Sequence, residues 1–381
     1  MSRVAVKESI LRWAVERSGL SLDQLLEKFP QIREWVAGHS QPTLRQLESL
    51  AKTTLTPLGF FFLAEPPAEP MPIPHYRTLG DRDVREPSPD LLDTVHAMQR
   101  RQAWLRDYFT EQGQEALSIV KSAKFSETAK ASANRLRKLL QIDQDWAAHY
   151  ASWTEALDAL RDKLEDAGIL VVVNGVVGNN THRKLDVEEF RGFVLVDDLA
   201  PLVFVNGSDG KAAQMFTLAH ELAHVAFGSS AAFDLRQLMP ANDEKEKACN
   251  LVAAEFLVPE DALRQSWPAL QRATEPFQES ARQFKVSALV AARRALDLGL
   301  ISRDAFFKFY AAYQEDERRQ MGKRSSGGNF YATQTLRLSR RFATNVSRAV
   351  KEGKLLYADA YRLTGLFGKT FDRYTASLEI R

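Results

Sequence analysis

His220 and His224 stand four residues apart, with Glu221 directly after the first, in the run Phe216-Thr-Leu-Ala-His-Glu-Leu-Ala-His-Val-Ala-Phe-Gly228. On a helix, residues at i and i+4 lie one above the other. Two imidazole nitrogens then face one point, where a tetrahedral zinc accepts each at about 2.0–2.1 Å. Glu221 cannot comfortably reach that ion, but it can reach a water bound to it. Zinc lowers the pKa of such a water toward about 7, and a neighbouring carboxylate takes its proton as the water attacks an amide. The chemistry this spacing suits is metal-assisted hydrolysis, with Glu221 as the catalytic residue. The other histidines, His39, His75, His96, His149 and His182, show no such pairing and read as surface or core residues.

A catalytic zinc needs a third protein ligand and one open position. The ligand is expected from a later helix folded back on the first, within Asp243-Glu-Lys-Glu-Lys-Ala-Cys-Asn-Leu-Val-Ala-Ala-Glu-Phe-Leu-Val-Pro259. Glu246 is the leading candidate, with Glu244 and Asp243 behind it. Asn250 shares its face and can hold the unligated nitrogen of a histidine ligand. Ala253 and Ala254 give a smooth surface for close helix packing. Cys249, beside apolar neighbours, reads as a buried thiol.

The elements that must position these groups follow from periodicity. The helix bearing His220 opens near Asp209, with Asp209 or Ser208 as its cap, and ends at Gly228. Before it, 169–177, 190–196 and 201–205 are short β-branched strand candidates. Helices are expected over 89–112, 126–141, 243–257, 259–265, 275–296 and 303–314. In the first 65 residues, Ser21-Leu-Asp-Gln24 and Thr43-Leu-Arg-Gln46 match capping boxes. Leu22, Leu25, Leu26, Phe29, Ile32, Trp35 and Val36 are spaced to bury one face, and Gly38 ends the element. This is helix-turn-helix grammar. Pro30 shortens the second helix, and residues 1–70 carry eight basic and eight acidic side chains. Base reading needs cations over phosphates, so docking is the expected role, with DNA a candidate partner.

Prolines 66, 67, 70, 72 and 74 form a stiff connector. Gly322, Ser325, Ser326, Gly327 and Gly328 read as a hinge. Residues 321–381 carry twelve basic and four acidic side chains, an excess that attracts nucleic acid or an acidic partner. The expected fold class is α+β, mostly α: a zincin-like domain with a short mixed sheet and an active-site helix. Its divisions are 1–65, 66–115 for connector and arm, 116–320 for the zinc domain, and 321–381.

The chain has 381 residues, 45% hydrophobic and 26% charged, with net charge +2, a composition for several packed cores. A single cysteine excludes an internal disulfide and suits a reducing compartment. No apolar run nears the roughly 20 residues a membrane span needs, and the N-terminus lacks an export pattern. A cytoplasmic protein with no membrane association is expected.

Phe216–His224 followed by Glu246-x-x-x-Asn250-x-x-Ala-Ala-Glu-Phe-Leu-Val-Pro259 resembles the ImmA/IrrE family of metallopeptidases. The head resembles an Xre-like domain, most closely in Trp35-Val-Ala-Gly-His-Ser-Gln-Pro-Thr43, and Phe284-Lys-Val-Ser-Ala-Leu-Val-Ala-Ala-Arg-Arg-Ala-Leu-Asp-Leu-Gly-Leu-Ile301 is similar too. The resemblance implies a zinc endopeptidase with His220, His224 and Glu246 as ligands and Glu221 as base. It also implies a helix-turn-helix repressor or antitoxin-like substrate and a role in stress response or a toxin–antitoxin-like pair. Two other readings stay open: a DNA-binding regulator with structural or sensory zinc, and a toxin-like binding partner. Leu58-Gly-Phe-Phe-Phe-Leu63 offers a surface for a homodimer or ordinary core. The candidate edge for an extended substrate is 201–205 or 190–196. Tyr331, Tyr357, Tyr361 and His182 are weak candidates for stabilising the oxyanion.

Overall fold

A computed structural model describes residues 3–69, 87–229, 231–233, 244–315 and 330–378. Described residues 3–69 and 87–96 form one unit, and 97–378 the other.

The first unit holds α1 (Glu8–Arg17), α2 (Leu22–Leu26), α3 (Ile32–Val36) and α4 (Leu44–Thr53), then a 3-10 turn over Leu58–Phe62. Both capping boxes form: the Ser21 and Thr43 hydroxyls accept from the amides of Gln24 and Gln46, whose side chains reach back. α2 is only five residues long and ends before Pro30. Ile10, Leu11, Leu25, Ile32, Trp35, Leu47, Leu50 and Phe61 make the core. Of the Leu58–Leu63 segment, Phe61 is buried while Phe62 and Leu63 face outward.

α5 (Pro89–Glu111) runs across the division, and α6 (Ala129–Leu139) and α7 (Trp153–Asp166) follow. Periodicity had not marked α7. Then come β1 (Leu170–Asn174), a hairpin of β2 (Val176–Val177) and β3 (Asn180–Lys184), β4 (Gly192–Leu195), β5 (Leu202–Asn206), α8 (Lys211–Phe227), β6 (Ala231–Phe233) and α9 (Glu244–Leu257). The main sheet has the order β1-β5-β4-β6, with β1 and β5 parallel and the other pairings antiparallel. This corrects the expected substrate edge. β5, within 201–205, lies between β1 and β4, and β4, within 190–196, lies between β5 and β6. Their all-buried faces are what interior strands show. Among the described residues, the edge strands are β1 and β6.

α10 (Glu260–Leu270), α11 (Pro276–Phe284), α12 (Ala288–Asp297) and α13 (Arg303–Glu315) complete this region. The single helix expected over 275–296 is two. Lys285 turns left-handed at φ 52°, and the Ser287 hydroxyl caps the new start by accepting from the Val290 amide. The hydroxyl competes for the backbone where a continuous helix would bury it.

Four helices close the chain: α14 (Phe330–Leu338), α15 (Arg340–Lys351), α16 (Tyr357–Thr364) and α17 (Lys369–Leu378). Part of their basic excess is structural. Arg340 pairs with Asp166 at 3.1 Å, and the Arg341 guanidinium lies over the Phe109 ring. The buried Glu165 carboxylate accepts from the Arg340 and Arg341 amides at 3.1 and 3.2 Å, fastening the start of α15 to α7. The expected Gly/Ser hinge and Asp243 lie outside the described residues, as do His75, Pro70, Pro72 and Pro74. No helix among the described residues is long and apolar enough to cross a membrane.

Candidate metal centre

α8 lies across β4 and β5. It is buried continuously from Gln214 to Ala226, polar side chains included. Its expected cap is corrected: Gly210 occupies the position without a side-chain bond. Asp209 instead pairs with Arg191 at 2.9 Å, and Ser208 donates to the Gly175 carbonyl. The Gln214 amide reaches back to the Asp209 carbonyl at 2.7 Å and holds the first turn. At the other end Gly228 sits at φ 74°, and a Cβ there would meet Lys121 Cγ at 2.6 Å. Only glycine ends the helix in that space.

His220 and His224 project from α8 into one spot, with their Nε2 atoms 3.0 Å apart. From the first turn of α9, Glu246 places Oε2 at 3.2 Å from His220 Nε2 and Oε1 at 3.1 Å from His224 Nε2. A tetrahedral zinc with ligands at 2.0–2.1 Å keeps its donor atoms about 3.3 Å apart. The separations and the N/N/O donor set fit such an ion. Small residues allow this approach: Ala219, Ala223 and Ala253 are buried in the core shared by α8 and α9. Asn250, one turn beyond Glu246, sets Oδ1 at 3.0 Å from His220 Nδ1. Glu244 points outward, and Cys249 is packed in the core.

His220, Glu221 and His224 are all fully buried, and Glu246 is 4% exposed. Burial pushes His220 down to about 4, against the pull of Glu246, so the imidazole is neutral and can ligate. Burial pushes Glu246 up, but hydrogen bonds and charge from the two histidines overcome it and hold the carboxylate at about 2. Burial, then the Glu246 charge, raises Glu221 well above the usual carboxylate range. Neither Glu221 oxygen has a hydrogen-bond partner among the described residues. Buried polar groups are normally hydrogen-bonded, so a carboxyl in that state stands out.

Residues 164–296 match the family model of the IrrE N-terminal-like domain (Peptidase_M78). The matched segment begins inside α7, ends inside α12 and contains all five site residues. It supports the ImmA/IrrE resemblance over about a third of the chain and a metallopeptidase type of chemistry there. A second model, a domain of unknown function (DUF8813), matches residues 338–377, which hold α15 to α17. The comparison with curated proteins returns no match.

Sequence reasoning missed Gly192 on β4. A Cβ there would lie 2.5 Å from Thr217 Cγ2, 2.8 Å from the Phe204 carbonyl and 3.4 Å from Glu221 Oε1. The strand thus passes α8 at the level of Glu221, and a glycine within a strand pattern was the available signal. His149, read as unpaired, faces Asp145 at 3.7 Å on the exposed surface. Of the weak oxyanion candidates, His182 is exposed on β3, Tyr357 and Tyr361 meet the Phe371 ring edge to face, and the Tyr331 side chain lies outside the described residues.

Proposed function

We propose that the chain is a zinc-dependent endopeptidase that cuts a partner regulatory protein of the repressor or antitoxin kind. The carrying observation is the trio of His220, His224 and Glu246 donor atoms, with the unpartnered Glu221 carboxyl beside them on α8. When bound, zinc supplies Lewis-acid polarisation of the scissile carbonyl and makes the attacking water acidic. His220 and His224 offer neutral Nε2 atoms, and Glu246 adds the negative charge that strengthens the donor set. Asn250 Oδ1 keeps the His220 proton on Nδ1, so that Nε2 stays a lone-pair donor. Glu221 takes the proton of the attacking water on a carboxyl oxygen and returns it to the departing amine. Burial raises that carboxyl in the metal-free chain, and the charge of a bound zinc would draw it back toward the range of a general base. The substrate segment adds in extended form along β6, the sheet edge that follows α8 in sequence.

The test is incubation with a neighbouring repressor-like protein, with and without chelator, read by intact mass. The purified chain is expected to carry about one zinc. Glu221→Gln is expected to keep the metal and lose cleavage. Wild-type cleavage by that variant removes Glu221 from the reaction.

A further inference from the structure

The first unit carries a surface groove of about 560 Å³, lined by the 28–31 turn, Trp35 and the face of α4 from Thr43 to Ser49. That is the size range of sites for small ligands and short peptide segments. Phe29, Pro30 and Trp35 give it an apolar wall, with Phe29 and Trp35 almost fully buried. Lys28 and Arg45 are the only charged lining residues among those described, although residues 1–70 carry equal numbers of basic and acidic side chains. Lys28 Nζ is held over the Phe29 ring by a 2.7 Å bond to Thr53 Oγ1, and Arg45 has no ion pair among the described residues. The buried Trp35 Nε1–H has no acceptor there either. A buried indole N–H normally finds one.

We propose that this groove docks an acidic peptide segment of another protein. An Asp or Glu carboxylate sits between Lys28 and Arg45, and an adjacent bulky apolar side chain lies on Phe29 and Pro30. The charge pattern selects the ligand, since two cations with no anion among the described lining residues complement a carboxylate. Two cations over an apolar wall are too few for a duplex, whose affinity comes from many phosphate contacts. The site is separate in sequence from the metal ligands and does not depend on the proposed peptidase activity.

The experiment uses the full chain labelled with ¹⁵N at its six tryptophan indoles, the Trp35 signal being assigned through Trp35→Phe. Acetyl-Glu-Leu-Asp-Leu-amide is titrated against acetyl-Gln-Leu-Asn-Leu-amide. The acidic peptide is expected to shift the Trp35 indole signal saturably, and the amide peptide to bind at least about tenfold more weakly. Lys28→Ala and Arg45→Ala, both on the surface, are each expected to weaken binding about tenfold, as for loss of one charge-assisted contact. Glu221→Gln is expected to bind the acidic peptide as wild type does. An unmoved indole signal, equal affinity for the two peptides, or unchanged binding in the Lys28→Ala/Arg45→Ala double variant overturns the proposal. So does displacement of the peptide by a short DNA duplex at lower concentration, which assigns the groove to phosphate.

Discussion

Asn250 offers the sharpest test of how the centre is held. Its Oδ1 lies 3.0 Å from His220 Nδ1, on the side of the ring away from Glu246. A histidine that ligates through Nε2 must carry its proton on Nδ1, and that proton needs an acceptor in a buried site. Asn250→Leu keeps the approximate volume but removes the acceptor, so the ring loses both its orienting contact and its tautomer bias. Loss of such an outer partner costs about 10–100-fold in metal affinity, or about 1.4–2.7 kcal/mol. Asn250→Asp keeps an acceptor and adds a negative charge, so its affinity is expected to match or exceed the wild type. Competition against a chromophoric zinc chelator at pH 7 reads all three proteins. Melting of the metal-free forms separates a folding defect from a ligand defect. If Asn250→Leu holds zinc as tightly as wild type, the contact does not orient His220 and the reasoning is wrong.

Three further perturbations bear on the scaffold. Gly192→Ala drives a methyl to 2.5 Å from Thr217 Cγ2 and 2.8 Å from a backbone carbonyl, and is expected to cost about 1–3 kcal/mol. Adding Thr217→Ser should recover part of that cost in urea unfolding, and full stability of the single variant would contradict the close approach. Glu255 and Arg294 form a buried ion pair at the end of α9, where Arg294 also donates to the Val258 carbonyl and Arg137 to the Glu255 and Phe256 carbonyls. Arg294→Met strands the carboxylate and is expected to cost about 3–5 kcal/mol, with much of it regained in Glu255→Met/Arg294→Met. In the metal-free protein, His220 binds a proton less readily folded, at about 4, than unfolded, at the ordinary histidine value of 6.5. Stability is therefore lost as pH falls through that window. The melting advantage of wild type over His220→Gln should shrink from pH 7 to pH 5, and an unchanged advantage would refute the assigned shift.

What the sequence revealed tracks how local each interaction is. His220, Glu221 and His224 were legible because one helical turn fixes their relation. The Ser21 and Thr43 capping boxes were legible because each closes over three residues. Glu246 and Asn250 required a fold-back, and only their shared helical face kept the choice narrow. Sheet order was not legible: 190–196 and 201–205 look alike in composition, and nothing within either strand says which neighbour covers its edge. The division between α11 and α12 lay in Ser287, whose capping chemistry competed with an apolar helical pattern on both sides. Gly192 went unnoticed because its meaning lies in Thr217 and Phe204, distant in sequence and adjacent only across the packed layer.

The proton inventory of the centre argues for a cation on its own terms. Glu246 offers one oxygen to each Nε2, which as hydrogen bonds requires a proton on both. Two Nε2–H groups 3.0 Å apart would face each other, and Asn250 Oδ1 asks for the His220 proton on the opposite nitrogen. Satisfying every contact with protons makes His220 a buried imidazolium, which burial opposes by pushing its pKa down to about 4. One divalent ion among the three donors would remove the conflict: both Nε2 atoms and the carboxylate would act as lone-pair donors, and the His220 Nδ1 proton would go to Asn250. The same positive charge offsets the repulsion between Glu246 and Glu221 that helps raise the Glu221 pKa, bringing that carboxyl back toward the range where it can accept and release a proton. Four side chains with incompatible demands would become mutually consistent around a single ion, which is what the proposed ligand set requires of them.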